Sequence, residues 1–132
     1  MKVLFVCTGN AHRSPLAEAL LKKMRPDWVV ESAGVHTAIP ISENVKKFLL
    51  AKGAEQHLKK APEDLDSKSL NQYDLIVVME QRHKNAVLSR CSECMSRIVV
   101  WNISDPYFMS YDAAVEVYSQ INNRVKTLAG IT

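Results

Sequence analysis

Three cysteines in 132 residues are too few for a disulfide scaffold, and such poverty fits a reducing, cytoplasmic setting. No apolar run approaches the roughly 20 residues of a membrane span. Met1–Val6 is a short buried-strand pattern, far too brief for a secretory leader with its cleavage site. Charge of one sign is missing too: 17 Lys and Arg against 14 Asp and Glu leave a formal +3. The basic residues fall in scattered groups (Lys22, Lys23 and Arg25; Lys46 and Lys47; Lys59 and Lys60; Arg82 and Lys84). They read as solvated helix faces, not as a nucleic-acid arm. The Cys91-x-x-Cys94 pair has no second ligand pair, so it lacks half of a zinc site. There is no internal repeat, low-complexity segment or linker. The expectation is one domain over residues 1–132, with 47% hydrophobic residues to fill its core.

What remains is a regular alternation. Lys2–Val6 reads as a buried strand and Pro15–Met24 as a helix with Ala17, Leu20, Leu21 and Met24 inward. Trp28–Glu31 is a short strand. Ser42 caps a helix through Ala51 that buries Val45, Phe48 and Leu49 and stops at Gly53. Leu75–Met79 is a third strand, Gln81–Ser89 a helix, and Ile98–Trp101 a fourth strand. Tyr111–Ala129 closes the chain as a helix with Ala114, Tyr118, Ile121, Val125 and Leu128 on one stripe. Lys59–Asn71 is polar and reads as a surface loop with a short helix; Val35–Ile41 reads as one rim of a pocket. Strand–helix alternation with near-continuous apolar strands predicts an α/β three-layer sandwich around a four-stranded parallel sheet. Ligands in such sheets bind beyond the C-terminal strand ends. Cys7 lies there at strand one, and Asn102–Asp105 at strand four.

The chemistry concentrates in Cys7-Thr8-Gly9-Asn10-Ala11-His12-Arg13-Ser14-Pro15. Ser14 reads as a helix cap and Pro15 as the first helical residue. Backbone N–H groups of a loop entering a helix converge on anions. Gly9 suits close approach or an unusual backbone angle. Arg13 can clamp two phosphate oxygens at once. The same positive field favours the Cys7 thiolate, and Ser14 can donate a hydrogen bond to it. A thiolate beneath a phosphoryl group points to attack at phosphorus and a phosphocysteine intermediate. The leaving oxygen then needs a proton. Asp105, in Ser104-Asp105-Pro106-Tyr107, is the candidate, with Asp112 as its rival in the first turn of the last helix. Tyr107 is a candidate aromatic wall.

These motifs resemble the low-molecular-weight protein tyrosine phosphatase family. The resemblance covers the CTGNAHRSP loop, the LAEAL helix, the SAG triplet at Ser32–Gly34, Asp105-Pro106-Tyr107 and the closing amphipathic helix. It implies a flavodoxin-like phosphatase fold with no metal and no organic cofactor, acting on phosphorylated proteins, expected as a monomer. It implies Cys7 as nucleophile, Arg13 as clamp and Asp105 as general acid. Thr8, Gly9, Asn10, Ala11, His12, Ser14 and Tyr107 would meet the phosphate or the substrate. Asn10, Ser14 and Ser32 would brace the loop.

Three positions depart from the pattern. His12 stands where many relatives carry a second loop cysteine able to shield the first. Ala11 stands where the tyrosine branch often has a bulkier aliphatic residue and the protein-arginine branch has Thr. Phe108 stands where some members have a second Tyr. Tyr107 itself resembles the tyrosine branch. His12 either packs away from the site or tunes the thiolate. Cys91 and Cys94 read as two ordinary cysteines at a helix end, with a redox pair as the alternative, and His57 and His83 as surface residues. Protein-arginine phosphatase is the second functional reading. Arsenate reductase on the same fold is a third, disfavoured because Glu80 stands where related reductases place a cysteine. A non-catalytic phosphoprotein-binding module is a fourth. A substitution at Cys7, Arg13 or Asp105 would have supported it, and there is none.

Overall fold

The computed structural model describes residues 1–131. Four strands, β1 (Lys2–Cys7), β2 (Val29–Gly34), β3 (Leu75–Val78) and β4 (Ile98–Val100), form one parallel sheet in the order β2-β1-β3-β4. The helices are α1 (Arg13–Met24), α2 (Glu43–Lys52), α3 (Gln81–Arg90) and α4 (Tyr111–Ala129). No helix among the described residues is long and apolar enough to cross a membrane.

Period-two alternation divides the strands between two cores. Val3, Phe5 and Cys7 of β1 and Val77 of β3 join Leu16, Leu20, Val45, Phe48, Tyr118 and Ile121 from α1, α2 and α4. Leu4, Val6, Ile76 and Val78 face the other way, toward Val87 of α3, Leu65, Leu70, Cys91 and Cys94. Both faces of the central strands are thus covered, as their unbroken apolar runs predict. The α4 stripe holds, with Val117 and Ala129 added to the buried face and Leu128 only partly buried.

Several boundaries shift. β2 runs to Gly34, because the whole SAG triplet pairs with the end of β1. Nine consecutive residues of α1, Arg13 to Leu21, are buried. This helix is packed on more than one side, so the one-face reading was too narrow. Lys59–Asn71 is a largely exposed loop with short helical turns, as expected, and its two 3-10 turns bury Leu65 and Leu70. The Glu63 carbonyl accepts from the Gly34 N–H at 2.9 Å. After β4 the pairing continues irregularly. Trp101 N–H reaches Val78 O and Ile103 N–H reaches Met79 O, both at 2.9 Å. Asn102, at φ 57°, forms the kink between them, a conformation Asn tolerates better than most residues.

Gly34 is where the sheet has no spare room. A Cβ there would stand 2.8 Å from Asn10 N and Thr8 O, and 2.9 Å from Gly9 C, all backbone atoms. Gly9, by contrast, has only one atom near a built Cβ, at 3.9 Å, and no left-handed φ. The expectation for Gly9 is therefore corrected. Asn10, at φ 52°, makes the sharp turn, and Gly34 allows the close approach. Gly34→Ala is expected to cost roughly 1–3 kcal/mol through overpacking. A urea midpoint shifted down at constant m-value is the readout; an unshifted midpoint would show slack that the contacts deny.

Candidate active site

The C-terminal ends of β1, β2 and β4 deliver three segments to one rim. A cavity of about 210 Å³ opens there, lined by Cys7, Thr8, Gly9, Ala11, His12, Arg13, His36, Ala38, Ile39, Asp105 and Tyr107. The Val35–Ile41 segment is thus a rim, as predicted. Asp105 and Cys7 share the cavity despite their distance in sequence.

The loop is held from beneath by one carboxamide. Asn10 Nδ2 donates to Ser14 Oγ at 2.8 Å and to Ser32 Oγ at 2.9 Å. Its Oδ1 accepts from Lys59 Nζ at 2.7 Å and from the Glu63 N–H at 2.9 Å. Ser32 passes its own proton to Glu18 Oε1 at 2.6 Å. Because Ser14 Oγ accepts from Asn10, its hydroxyl proton is free for Cys7 Sγ, 2.9 Å away. Asn10, Ser14 and Ser32 are therefore bracing groups, all fully buried. Ser14 is not the helix cap: α1 begins at Arg13, with His12 in the cap position and no side-chain cap bond. Its hydroxyl is spent on the thiol instead.

Lys59 overturns its reading as a solvated lysine. Its side chain is 8% exposed and pairs with Glu63 at 2.6 Å. It also donates to Ser32 O at 2.9 Å. Glu63 continues to Lys68, and Lys68 to Glu31. Burial raises the Glu63 pKa, but hydrogen bonds from Lys59 and Lys68 outweigh it and hold the carboxyl below its usual value.

Arg13 is buried. Its Nη1 donates to Glu80 Oε2 at 2.6 Å and to Ile103 O at 2.7 Å. Its Nη2 lies 3.3 Å from Thr8 Oγ1 and 3.7 Å from Asp105 Oδ2. Burial opposes charge on Glu80, yet bonds from Arg82 and Arg13 hold its pKa down at about 2. Asp105 Oδ1 accepts from the Tyr107 N–H at 3.1 Å, which ties the carboxyl to its own turn. Asp112 lies in the first turn of α4, outside the cavity lining.

His12 does not pack away. It lines the cavity, and its ring meets Tyr107 edge-on at 5.9 Å between centroids. Burial lowers its pKa; the nearby Asp105 opposes this and Arg13 adds to it. At neutral pH it is mostly uncharged, so it lends Cys7 no cation. Tyr107 in turn meets Phe108 at 4.6 Å.

His83, expected at the surface, is fully buried. The Glu80 N–H donates to its Nδ1 at 3.1 Å, so the proton sits on Nε2, 2.9 Å from Thr8 Oγ1. Glu80, Arg82, His83 and Lys59 are the functional neighbours that motif reading missed. A topological signal existed for the first three. They follow β3, which pairs with β1, so they had to flank the loop after β1.

Cys91 and Cys94 form a disulfide. They are not two free thiols, and the pair reading is the correct one. They lie at the far end of α3 from Glu80 and pack in the core on the other sheet face from Cys7. Cys7 is the free cysteine.

The family model for low molecular weight phosphotyrosine protein phosphatases matches residues 2–131. The chain belongs to this family. It is 32% identical to the low molecular weight protein-tyrosine-phosphatase Wzb of Salmonella typhi, over 97% of this chain and 91% of that protein. It is 30% identical to a protein-arginine-phosphatase of Geobacillus stearothermophilus, over 96% of this chain and 90% of that one. The structure of Vibrio vulnificus Wzb in complex with benzylphosphonate superposes with a TM-score of 0.88 at 29% identity, covering 98% of this chain and 97% of that one.

Two expectations follow from the site. Burial, and then the Arg13 charge, depress the His83 pKa from 6.5 to about 4. Between those values the unfolded chain binds a proton that the folded chain refuses. Stability should therefore fall as pH drops from about 6.5 to 4, by up to roughly 3 kcal/mol. Urea titrations across this range should show a shallower pH slope for His83→Gln; identical slopes would remove His83 as the cause. Separately, Cys7 has no thiol within the cavity to trap its sulfenic acid. Peroxide should inactivate the enzyme in a form that dithiothreitol does not restore. Full recovery after excess peroxide would show that Cys7 is held in a reversible form, as a sulfenamide or a disulfide.

Proposed function

We propose that this phosphatase hydrolyses phosphotyrosine in proteins, with Cys7 as nucleophile, Arg13 as phosphate clamp and Asp105 as general acid and base. The observation that carries this is the convergence of those three side chains and the loop on one cavity. The Cys7 thiolate attacks phosphorus, an S–P bond forms, and the bond to the tyrosyl oxygen breaks. Asp105, half-exposed at the mouth, gives its proton to that oxygen. Water then attacks phosphorus, Asp105 takes a proton from it, and the S–P bond breaks to release phosphate. The loop's backbone N–H groups and Arg13 stabilise charge on the equatorial oxygens in both steps. Arg13 meets phosphate oxygens with Nη2, which makes only longer contacts, while Nη1 keeps Glu80 and Ile103.

The rim supports an aryl substrate. Ala38 and Ile39 bring apolar surface, and the His12–Tyr107 pair brings an aromatic edge. The similarity to a protein-arginine-phosphatase supports phosphoarginine as the second reading. Arsenate reduction has no support from the cysteines: position 80 is a carboxylate on Arg13, and Cys91–Cys94 is remote.

Cys7→Ser is expected to abolish hydrolysis of p-nitrophenyl phosphate. Asp105→Asn should lower kcat roughly a hundredfold while inorganic phosphate still inhibits at similar concentration. Equal loss of phosphate binding would argue against the acid role. Relative kcat/KM on phosphotyrosine and phosphoarginine peptides decides the substrate; a preference for phosphoarginine would replace the leading reading by the second.

A further inference from the structure

Thr8 is the one loop side chain whose hydroxyl is surrounded by donors. His83 Nε2–H donates to its Oγ1 at 2.9 Å, in the tautomer that the Glu80 N–H imposes. Arg82 Nη2 donates to it at 2.7 Å. A hydroxyl oxygen has two lone pairs and one proton. These two bonds use the lone pairs, and the longer 3.3 Å contact from Arg13 Nη2 competes for them. No acceptor for the Thr8 proton lies within the protein's own hydrogen-bond network among the described residues. Thr8 lines the cavity, directly after the nucleophile.

We propose that the Thr8 hydroxyl, turned by His83 and Arg82, donates its proton to an equatorial oxygen of the transferring phosphoryl group. The distances favour that acceptor. A phosphoryl oxygen clamped by Arg13 Nη2 lies next to an atom already within 3.3 Å of Thr8 Oγ1. Thr8 is then a catalytic residue, while His83 and Arg82 are positioning residues that act through it. The cost of orienting the hydroxyl is met by folding, before substrate arrives, so nothing reorganises at the transition state. Arg82 has a second effect. Its guanidinium is tied to both oxygens of Glu80. It offsets the Glu80 carboxylate, which lies against Arg13.

The inference rests on the phosphatase reading, and its test separates the two. Thr8→Val keeps the shape and removes the hydroxyl; Thr8→Ser keeps the donor. With p-nitrophenyl phosphate, Thr8→Val should lower kcat/KM roughly a hundredfold, the lower end of what a lost oxyanion donor costs. Thr8→Ser should recover to within about threefold of the parent. Orthovanadate, which mimics the five-coordinate phosphorus, should lose affinity in Thr8→Val more than inorganic phosphate does. His83→Met should cost about tenfold in the parent but less than about twofold in the Thr8→Val background, because it acts through that hydroxyl. An active parent with Thr8→Val unchanged overturns this inference alone. So does a His83→Met loss equal in both backgrounds, or a Thr8→Val effect confined to the pH dependence of Cys7 alkylation by iodoacetamide. An inert parent overturns the phosphatase reading and this one with it.

Discussion

The site depends on one carboxamide in a left-handed turn. Asn10 joins four pieces of chain: Ser14 in α1, Ser32 in β2, Lys59, and the Glu63 backbone. All its bonds are short, and each fixes the direction of the next. With both amide hydrogens spent on serine oxygens, Ser14 has a proton to spare for Cys7. A polar network of this kind is stabilising only when complete, because each missing partner leaves a buried group unpaired. The loop shape that presents backbone N–H groups to an anion is therefore set by contacts on its hidden side.

Arg13 shows the same principle in charge. A buried guanidinium without a counter-charge would be costly. Glu80 meets that need, and the Ile103 carbonyl adds a further chain segment to the arrangement. The clamp is pre-aimed without being saturated: Nη2 makes only longer contacts, at 3.3 and 3.7 Å.

Much of this was legible in the residues. Strand order of chemistry, the loop, Arg13 and Asp105 came from periodicity and spacing, because a parallel sheet obliges strand ends to meet. Side-chain environments were less legible. Lys59 and His83 looked like surface residues, since their partners Asn10 and Thr8 lie far away in sequence. Gly9 and Ser14 were misread for the opposite reason. Local rules gave each a plausible local task, while the fold used Asn10 for the turn and Ser14 for the thiol. The buried stretch of α1 likewise answers to β1, β2, α2 and α4 at once, which no single helical stripe encodes.

The Cys91–Cys94 bridge closes a ring of only three positions. Loop-closure entropy grows with ring size, so a ring this small restrains the unfolded chain least. The bridge lies on the other sheet face from Cys7, so it cannot exchange with that thiol. On the function proposed above, the chemistry then hangs on one sulfur whose fate is independent of the chain's one cross-link.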